Sequence, residues 1–226
     1  MDFNLDFNTK MDLDLNLFDN DGIDRKCRIH RPKSHRRPKT VKYKYAQEFV
    51  KECSKDILNG QRLFCFVSGR FILGDIIEAF AVDNNLLIKE LTISSLSISK
   101  DNIDSLYNIL NFDYCEKLNL IVSDFFYAHN RHNMKYIYDK LDIDNKFQLA
   151  VASTHTKIIL MELESGQKIV ISGSANLKSS DSLEQISIET DEDLYCFNYD
   201  WHKILLDKYK TINKSIRSEK MWDLVK

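Results

Sequence analysis

The feature that most constrains the fold is an alternation of helical and strand-like apolar patterns between residues 43 and 152. Helical spacing of apolar residues recurs in four segments, at residues 43–58, 72–82, 102–111 and 131–141. Each segment is followed by a short apolar run typical of a buried strand, at residues 62–68, 87–98, 117–122 and 147–152. Four such alternations predict an α/β/α sandwich with a mixed, largely parallel sheet.

The pattern changes after residue 152. Residues 157–161 and 168–171 are two apolar runs joined by a short segment that contains Gly166, which predicts two neighbouring strands. One more strand is expected over residues 185–189, and a long helix over residues 193–212. The folded domain is therefore expected to span residues 43–226.

Two segments with opposite charge precede this domain. Residues 1–24 contain seven Asp and a single cation, Lys10, and predict an acidic flexible arm that is available to a protein partner. Residues 25–42 are basic and contain no acid, and their two prolines, Pro32 and Pro38, predict an extended linker.

The basic linker is a candidate nucleic-acid contact, since cations on an extended segment neutralise phosphates and nearby tyrosines stack on bases. Its candidate contact residues are Arg28, Arg31, Arg36, Arg37 and Lys39. The alternative is a solvated linker that only balances the charge of the acidic arm, by folding against it.

Composition excludes several classes of protein. The 226-residue chain has a net charge of −2 and five widely spaced cysteines, without a CxxC pair or other zinc-ligand spacing. Free thiols favour a reducing compartment, so a cytoplasmic location is expected. No apolar stretch has the length of about 18 residues that a membrane span needs. No membrane partner, metal or cofactor is expected.

Two short motifs carry the candidate chemistry. His155 and Lys157 stand two apart at the start of a predicted strand, so their side chains share one face. The next predicted strand ends in Gly173-Ser174-Ala175-Asn176, which brings a hydroxyl and an amide beside them. A nucleophile, a fixed cation and two hydrogen-bond donors together predict a pocket for a phosphodiester.

This pair of motifs resembles the HxK…GSxN signature of the phospholipase D superfamily. The resemblance implies that His155 forms a covalent phosphohistidine and that Lys157 and Asn176 stabilise the phosphate oxygens. It also implies that Ser174 lines the same site and that Glu184 orients a catalytic imidazole. In its overall composition the sequence resembles small phage-encoded members of the superfamily, which would act in the bacterial host cytoplasm.

Two departures from the superfamily pattern shape the expected function. Glu162 stands where the family has an Asp, and the chain contains one HxK motif instead of two. Single-motif members build one site from two chains, so the resemblance implies a homodimer. The expected function is a metal-independent phosphodiesterase, foremost a nuclease. The alternative is a catalytically impaired module that binds nucleic acid or a protein, and a lipid phosphodiesterase is less favoured.

Further substrate contacts are expected at the ends of two predicted strands. A polar stretch after residue 122 supplies Tyr127, His129, Arg131 and His132, at an edge where parallel sheets place ligand-contacting loops. The alternative is a solvated loop that caps a helix. Arg70 follows an earlier strand and is a candidate phosphate contact, with a simple turn as the alternative.

Overall fold

The structure, a computed structural model, describes residues 41–67, 72–178 and 182–210, and of residues 41, 42, 131 and 132 only the backbone. The predicted acidic arm lies outside these residues, as does the basic linker apart from the backbone of its last two residues. Arg70 is also outside them.

Six helices and seven strands form in the described part of the chain. The helices are α1 (Val41–Leu58), α2 (Leu73–Asp83), α3 (Lys100–Asn111), α4 (Asp124–His129), α5 (Arg131–Leu141) and α6 (Glu192–Tyr209). The strands are β1 (Leu63–Val67), β2 (Ile88–Ser95), β3 (Leu118–Ser123), β4 (Phe147–Ala152), β5 (Ile158–Leu163), β6 (Lys168–Gly173) and β7 (Glu184–Thr190).

The seven strands form one mixed sheet in the order β1-β7-β6-β5-β2-β3-β4. The predicted mixed sheet is confirmed, and five of its seven described strands, β1, β2, β3, β4 and β6, run in one direction. Only two of the six pairings between described strands, β2–β3 and β3–β4, are parallel, however, and the other four are antiparallel. The reason is connection length: helical crossovers join the parallel strands, whereas the short turn between β5 and β6 forces them to run antiparallel.

Helices cover both faces of the sheet, which confirms the predicted α/β/α sandwich. Helices α1, α2, α3 and α5 pack on one face and enclose the main core, where Leu91, Ile93 and Leu120 are fully buried. Helix α6 covers the other face, where Leu205 packs on Ile121. None of the described helices has the length and apolar character that crossing a bilayer requires.

The stretch after β3 is a helix where the sequence predicted a loop. Helix α4 begins at once after Ser123, whose hydroxyl accepts a hydrogen bond from the Phe126 N–H at 2.9 Å and donates one to the Leu96 carbonyl at 2.7 Å. Ser123 is thus an N-cap, followed by the acidic Asp124 that helix first turns favour. The predicted helix 131–141 is confirmed as α5.

The described cysteines are free thiols, at Cys53, Cys65, Cys115 and Cys196. Burial raises the pKa of Cys53 and of Cys115 to about 12, so both remain protonated at neutral pH. Such thiols pack as small apolar side chains.

Candidate active site

The pairing of β5 with β6 brings the two motifs to the same end of the sheet. These strands are antiparallel with Ile158 opposite Ser172. Extending this register by one residue places Lys157 opposite Gly173, and by two residues places Thr156 opposite Ser174. The end of β6 and the segment that leads into β5 therefore lie side by side. A shared phosphate pocket requires this arrangement.

His155 and Lys157 are in direct contact. The Lys157 Nζ lies 3.2 Å from the His155 Nδ1 and 3.2 Å from the His155 carbonyl oxygen. A protonated lysine amine can only donate, so Nδ1 accepts and the proton of the neutral imidazole resides on Nε2. His155 is exposed and Lys157 is half-buried, so the imidazole is open to a ligand and the cation is held beside it.

Gly173 allows β6 and β7 to approach closely at the site. A Cβ atom on Gly173 would lie 2.1 Å from the Gln185 carbonyl oxygen and 2.9 Å from the Ile186 Cα. Any other residue would therefore push the strands apart. The close approach lets the Ser174 N–H donate to the Gln185 carbonyl at 2.9 Å, which anchors the GSxN turn to β7.

Glu184 lies at the site through Ser174. The Ser174 hydroxyl donates a short hydrogen bond to the Glu184 carboxylate and accepts one from the Gln185 N–H at 3.0 Å. The resemblance implied that Glu184 holds a catalytic imidazole. Within the described residues, the carboxylate instead bonds to the serine hydroxyl, and His155 of the same chain has Lys157 as its partner.

The amide oxygen of Asn176 is unpaired in the described part of the chain. This Oδ1 atom is buried and has no hydrogen-bond partner among the described residues. The next residue is fixed, since the Leu177 N–H donates to the Ser95 hydroxyl at 3.1 Å and its carbonyl accepts from the Ser99 N–H at 2.7 Å. An amide side chain has an NH₂ donor and a carbonyl acceptor, and rotation by half a turn exchanges their places. Asn176 can therefore donate a hydrogen bond to a phosphate oxygen.

A shallow pocket opens beside the two motifs. It is lined by Lys157 from the β5 side, by Gly173 and Ala175 from the GSxN turn, and by Leu73 at the start of α2. The segment that leads into α2 contains Arg70, whose predicted phosphate contact lies outside the described residues.

The other predicted substrate contacts fall on α4 and α5. The Tyr127 side chain is only 1% exposed and belongs to the core, so the structure corrects its expected role as a surface contact. His129 is exposed at the end of α4, where its Nδ1 donates to the Phe125 carbonyl at 2.8 Å. The side chains of Arg131 and His132 lie outside the described part of the chain.

Glu162, which stands where the resemblance predicts an aspartate, lies towards the other end of β5. It forms an ion pair with Lys89, with 3.1 Å between Nζ and Oε1. This carboxylate is thus tied to the neighbouring β2 and does not contact His155 or Lys157.

Sequence reasoning missed a buried polar cluster behind the HxK motif. It consists of the hydroxyls of Thr154, Thr156 and Ser94 and the imidazole of His202, which is fully buried. The alternation of Thr154 and Thr156 with His155 and Lys157 was a signal for it, since alternate residues face opposite sides.

Comparisons with known proteins agree on the fold. No protein-family model matches the sequence, and no curated protein matches it. Among solved structures, the polyphosphate kinase of Porphyromonas gingivalis superposes with a TM-score of 0.52 at 12% identity, over 70% of this chain and 28% of that chain. A phospholipase D family member of Salmonella typhimurium, Nuc, gives 0.49 at 13% identity, over 66% of this chain and 95% of that one.

The chain shares its fold with the superposed part of that polyphosphate kinase. NucT from Helicobacter pylori also matches, with a TM-score of 0.48 at 12% identity, over 65% of this chain and 97% of that chain. The likeness to these solved structures concerns the fold alone. Identities this low say nothing about activity, which has to be argued from the side chains at the site.

Proposed function

We propose that this protein is a metal-independent phosphodiesterase that acts on nucleic acid, with an active site completed by a second copy of the chain. The observation that carries the proposal is the contact between His155 and Lys157 directly across from the GSxN turn. A nucleophilic imidazole, a cation and turn-borne donors at one place match the needs of phosphoryl transfer.

Binding of a phosphodiester activates the imidazole. In the free site Lys157 donates to the His155 Nδ1, so the opposite nitrogen carries the proton. A bound phosphate draws the ammonium group to its non-bridging oxygens, since a negative charge is a stronger acceptor than a neutral imidazole. Nδ1 is then free to take the proton, and the lone pair on Nε2 becomes available to attack phosphorus.

The reaction proceeds in two displacements. The Nε2 atom of His155 forms a bond to phosphorus as the bond to the leaving oxygen breaks, and a general acid protonates that oxygen. The same group, now a base, takes a proton from water, and the water oxygen displaces the histidine. Lys157 and the Asn176 amide stabilise the negative charge that builds on the phosphate oxygens in both steps.

A second copy of the chain supplies the general acid. The sequence has one HxK motif, and His129 is held by a backbone carbonyl of its own helix. A twofold dimer that brings two copies of His155 together provides one nucleophile and one acid at a single site. In such a dimer we expect the Glu184 carboxylate, which contacts Ser174 of the GSxN turn, to orient an imidazole.

The basic linker favours nucleic acid as the substrate. Residues 25–42 contain Arg28, Arg31, Arg36, Arg37 and Lys39 and no acidic residue. Such a segment binds the phosphate backbone without sequence preference and releases counterions as it does so. It would hold a polynucleotide close to the domain that starts directly after it.

The test is cleavage of single- and double-stranded DNA and RNA in the presence of EDTA. We expect EDTA-resistant cleavage by the wild type, lost by at least about a hundredfold in His155→Ala and in Lys157→Ala. Glu164→Ala, an exposed site in the β5–β6 turn, is the matched control and should cleave as the wild type does.

Binding without cleavage would support the alternative function. The substitution of the family's aspartate by Glu162 motivates a module that has kept the fold and lost turnover. If the wild type binds polynucleotides, cleaves none of them, and binds equally well after His155→Ala and Lys157→Ala, the phosphodiesterase proposal is refuted.

A further inference from the structure

The segment that carries His155 and Lys157 is not part of a strand. Residues 153–157 connect β4 to β5 and lie outside both. Strand hydrogen bonds therefore do not fix the direction in which its side chains point, although catalysis needs them fixed to within a fraction of an ångström. Contacts other than the backbone hydrogen bonds of the sheet have to hold this segment.

Hydrogen bonds between side-chain hydroxyls hold this segment on the side away from the catalytic pair. The Thr156 hydroxyl lies 3.0 Å from the Ser94 hydroxyl on β2 and 2.8 Å from the Thr154 hydroxyl. His155 and Lys157 contact each other on the opposite side of the segment. The two threonines thus face one side of the sheet and the catalytic pair faces the other.

The buried His202 on α6 completes the chain of hydrogen bonds. Its Nε2 lies 3.0 Å from the Ser94 Oγ, and its Nδ1 lies 2.6 Å from the Asn198 carbonyl oxygen. The imidazole is 0% exposed, and burial lowers its pKa to about 4, so it is neutral at pH 7.

The direction of every proton in this chain follows from its two ends. A carbonyl can only accept, so the His202 Nδ1 carries the proton and its Nε2 accepts from Ser94. The Ser94 oxygen then accepts from Thr156, and the Thr156 oxygen accepts from Thr154. Each hydroxyl has one proton and can donate only one hydrogen bond. The direction of all the hydrogen bonds from Thr154 to His202 is therefore fixed.

We propose that His202 is a positioning residue for the HxK segment, which it holds through Ser94 and Thr156 so that His155 and Lys157 point into the phosphate site. Helix α6 and the sheet thereby act as a rigid backing for a segment without strand bonds. The role in turnover rests on the proposed function, whereas the fixing of the two side chains does not.

The variants that test this proposal remove hydrogen-bonding groups and change side-chain volume little. Thr156→Val replaces the hydroxyl by a methyl group and breaks the chain, whereas Thr156→Ser keeps it. Thr92→Val is the control. Thr92 is a buried residue of β2, and its hydroxyl accepts a hydrogen bond from Asn119 at 3.0 Å and takes no part in the chain from Thr154 to His202. His202→Phe removes both imidazole nitrogens and keeps a ring.

The first measurement is steady-state cleavage of bis(p-nitrophenyl) phosphate. We expect Thr156→Val and His202→Phe to lower kcat about tenfold or more with KM changed less than about twofold, since misplaced reacting groups cost rate more than binding. Thr156→Ser and Thr92→Val should stay within about threefold of the wild type. Wild-type kcat in Thr156→Val, or an equal loss in Thr92→Val, would overturn the proposal.

The second measurement does not need turnover. Long-range ¹H–¹⁵N spectra should show His202 as the neutral Nδ1–H tautomer, with an Nε2 shift that moves in Thr156→Val and not in Thr156→Ser. The His155 ring signals should broaden in the valine variant only. Unchanged His155 and His202 signals would refute the positioning role, whereas a wild type that cleaves nothing would refute only the proposed function.

Discussion

Gly173 lets β6 and β7 approach each other closely because it has no Cβ atom. The backbone of β7 occupies the space that a Cβ would need, 2.1 Å from the Gln185 carbonyl oxygen. We expect Gly173→Ala to lower the free energy of unfolding by about 3 kcal/mol, because the backbone of β7 has to move. Urea denaturation followed by circular dichroism measures this loss.

Gly166→Ala separates crowding from backbone preference. Gly166 has a φ of +86°, but no atom within 4 Å would meet its Cβ. The cost there should be about 1 kcal/mol, from the left-handed backbone alone. Equal costs at the two glycines would contradict the crowding that the structure shows at Gly173.

The buried imidazole of His202 makes the fold sensitive to acid. Burial lowers its pKa from 6.5 to about 4, so between these values the unfolded chain binds a proton that the folded chain does not. The stabilisation is complete above pH 6.5 and is lost as the pH falls towards 4, by about 3 kcal/mol in total.

His202→Gln removes this titration and isolates its contribution. The stability difference between wild type and variant should shrink as the pH falls from 7 to 4.5, as measured by urea denaturation at each pH. A difference that is constant over this range would mean that His202 does not remain neutral in the folded state.

At single positions, the chemistry of a residue was readable from the sequence and its surroundings were not. His155, Lys157 and Asn176 were predicted as phosphate-site residues because few residue types handle phosphate. Tyr127 was misjudged, since an aromatic residue after a strand looks the same whether a loop exposes it or α4 buries it. The bond from Thr156 to Ser94 spans 62 positions, a distance over which no local pattern operates.

Helix α6 is held at its start by a side-chain cap. The Asp191 carboxylate accepts a hydrogen bond from the Leu194 N–H at 2.8 Å, and Glu192 and Asp193 add negative charge to the first turn. We expect Asp191→Ala to cost about 1 kcal/mol of stability, because it leaves a helix N–H without a partner. Thermal unfolding measures the effect.

Asp200→Ala is the matched control on the same helix. Asp200 is exposed and lies in the interior of α6, where its carboxylate caps nothing. Its removal should change stability by less than about 0.5 kcal/mol. A comparable loss in both variants would show that charge, and not capping, is what matters at Asp191.

Elements were predictable where the apolar period was long, and their pairing was not. The predicted strand over residues 147–152 coincides with β4, and the predicted helix over 131–141 coincides with α5. The sheet was expected to be largely parallel because the first four strands follow helices. Nothing in the sequence of β5 indicates that it pairs antiparallel with β2 and separates β1 from the parallel strands.

The whole-molecule proposal, a shared site in a twofold dimer, predicts how activity depends on subunit composition. Wild-type and His155→Ala chains are unfolded together and refolded at a series of ratios. If a site needs His155 from both chains, an equal mixture should retain about one quarter of the wild-type activity, because only wild-type pairs are active.

Two outcomes would count against the shared site. Activity that falls in proportion to the wild-type fraction would mean that each chain is active by itself. Sedimentation that gives a fully active monomer at micromolar concentration would lead to the same conclusion.

The strand order also has a consequence for synthesis on the ribosome. Strand β1 joins the sheet only through β7, and Leu63 there pairs with Ile188. The emerging chain cannot close the sheet until more than a hundred further residues have been made, so the inward-facing side chains Leu63 and Val67 of β1 lack their neighbours on β7 until then. A protein of this topology should fold slowly, and chaperones that shield apolar segments should raise its yield in cells.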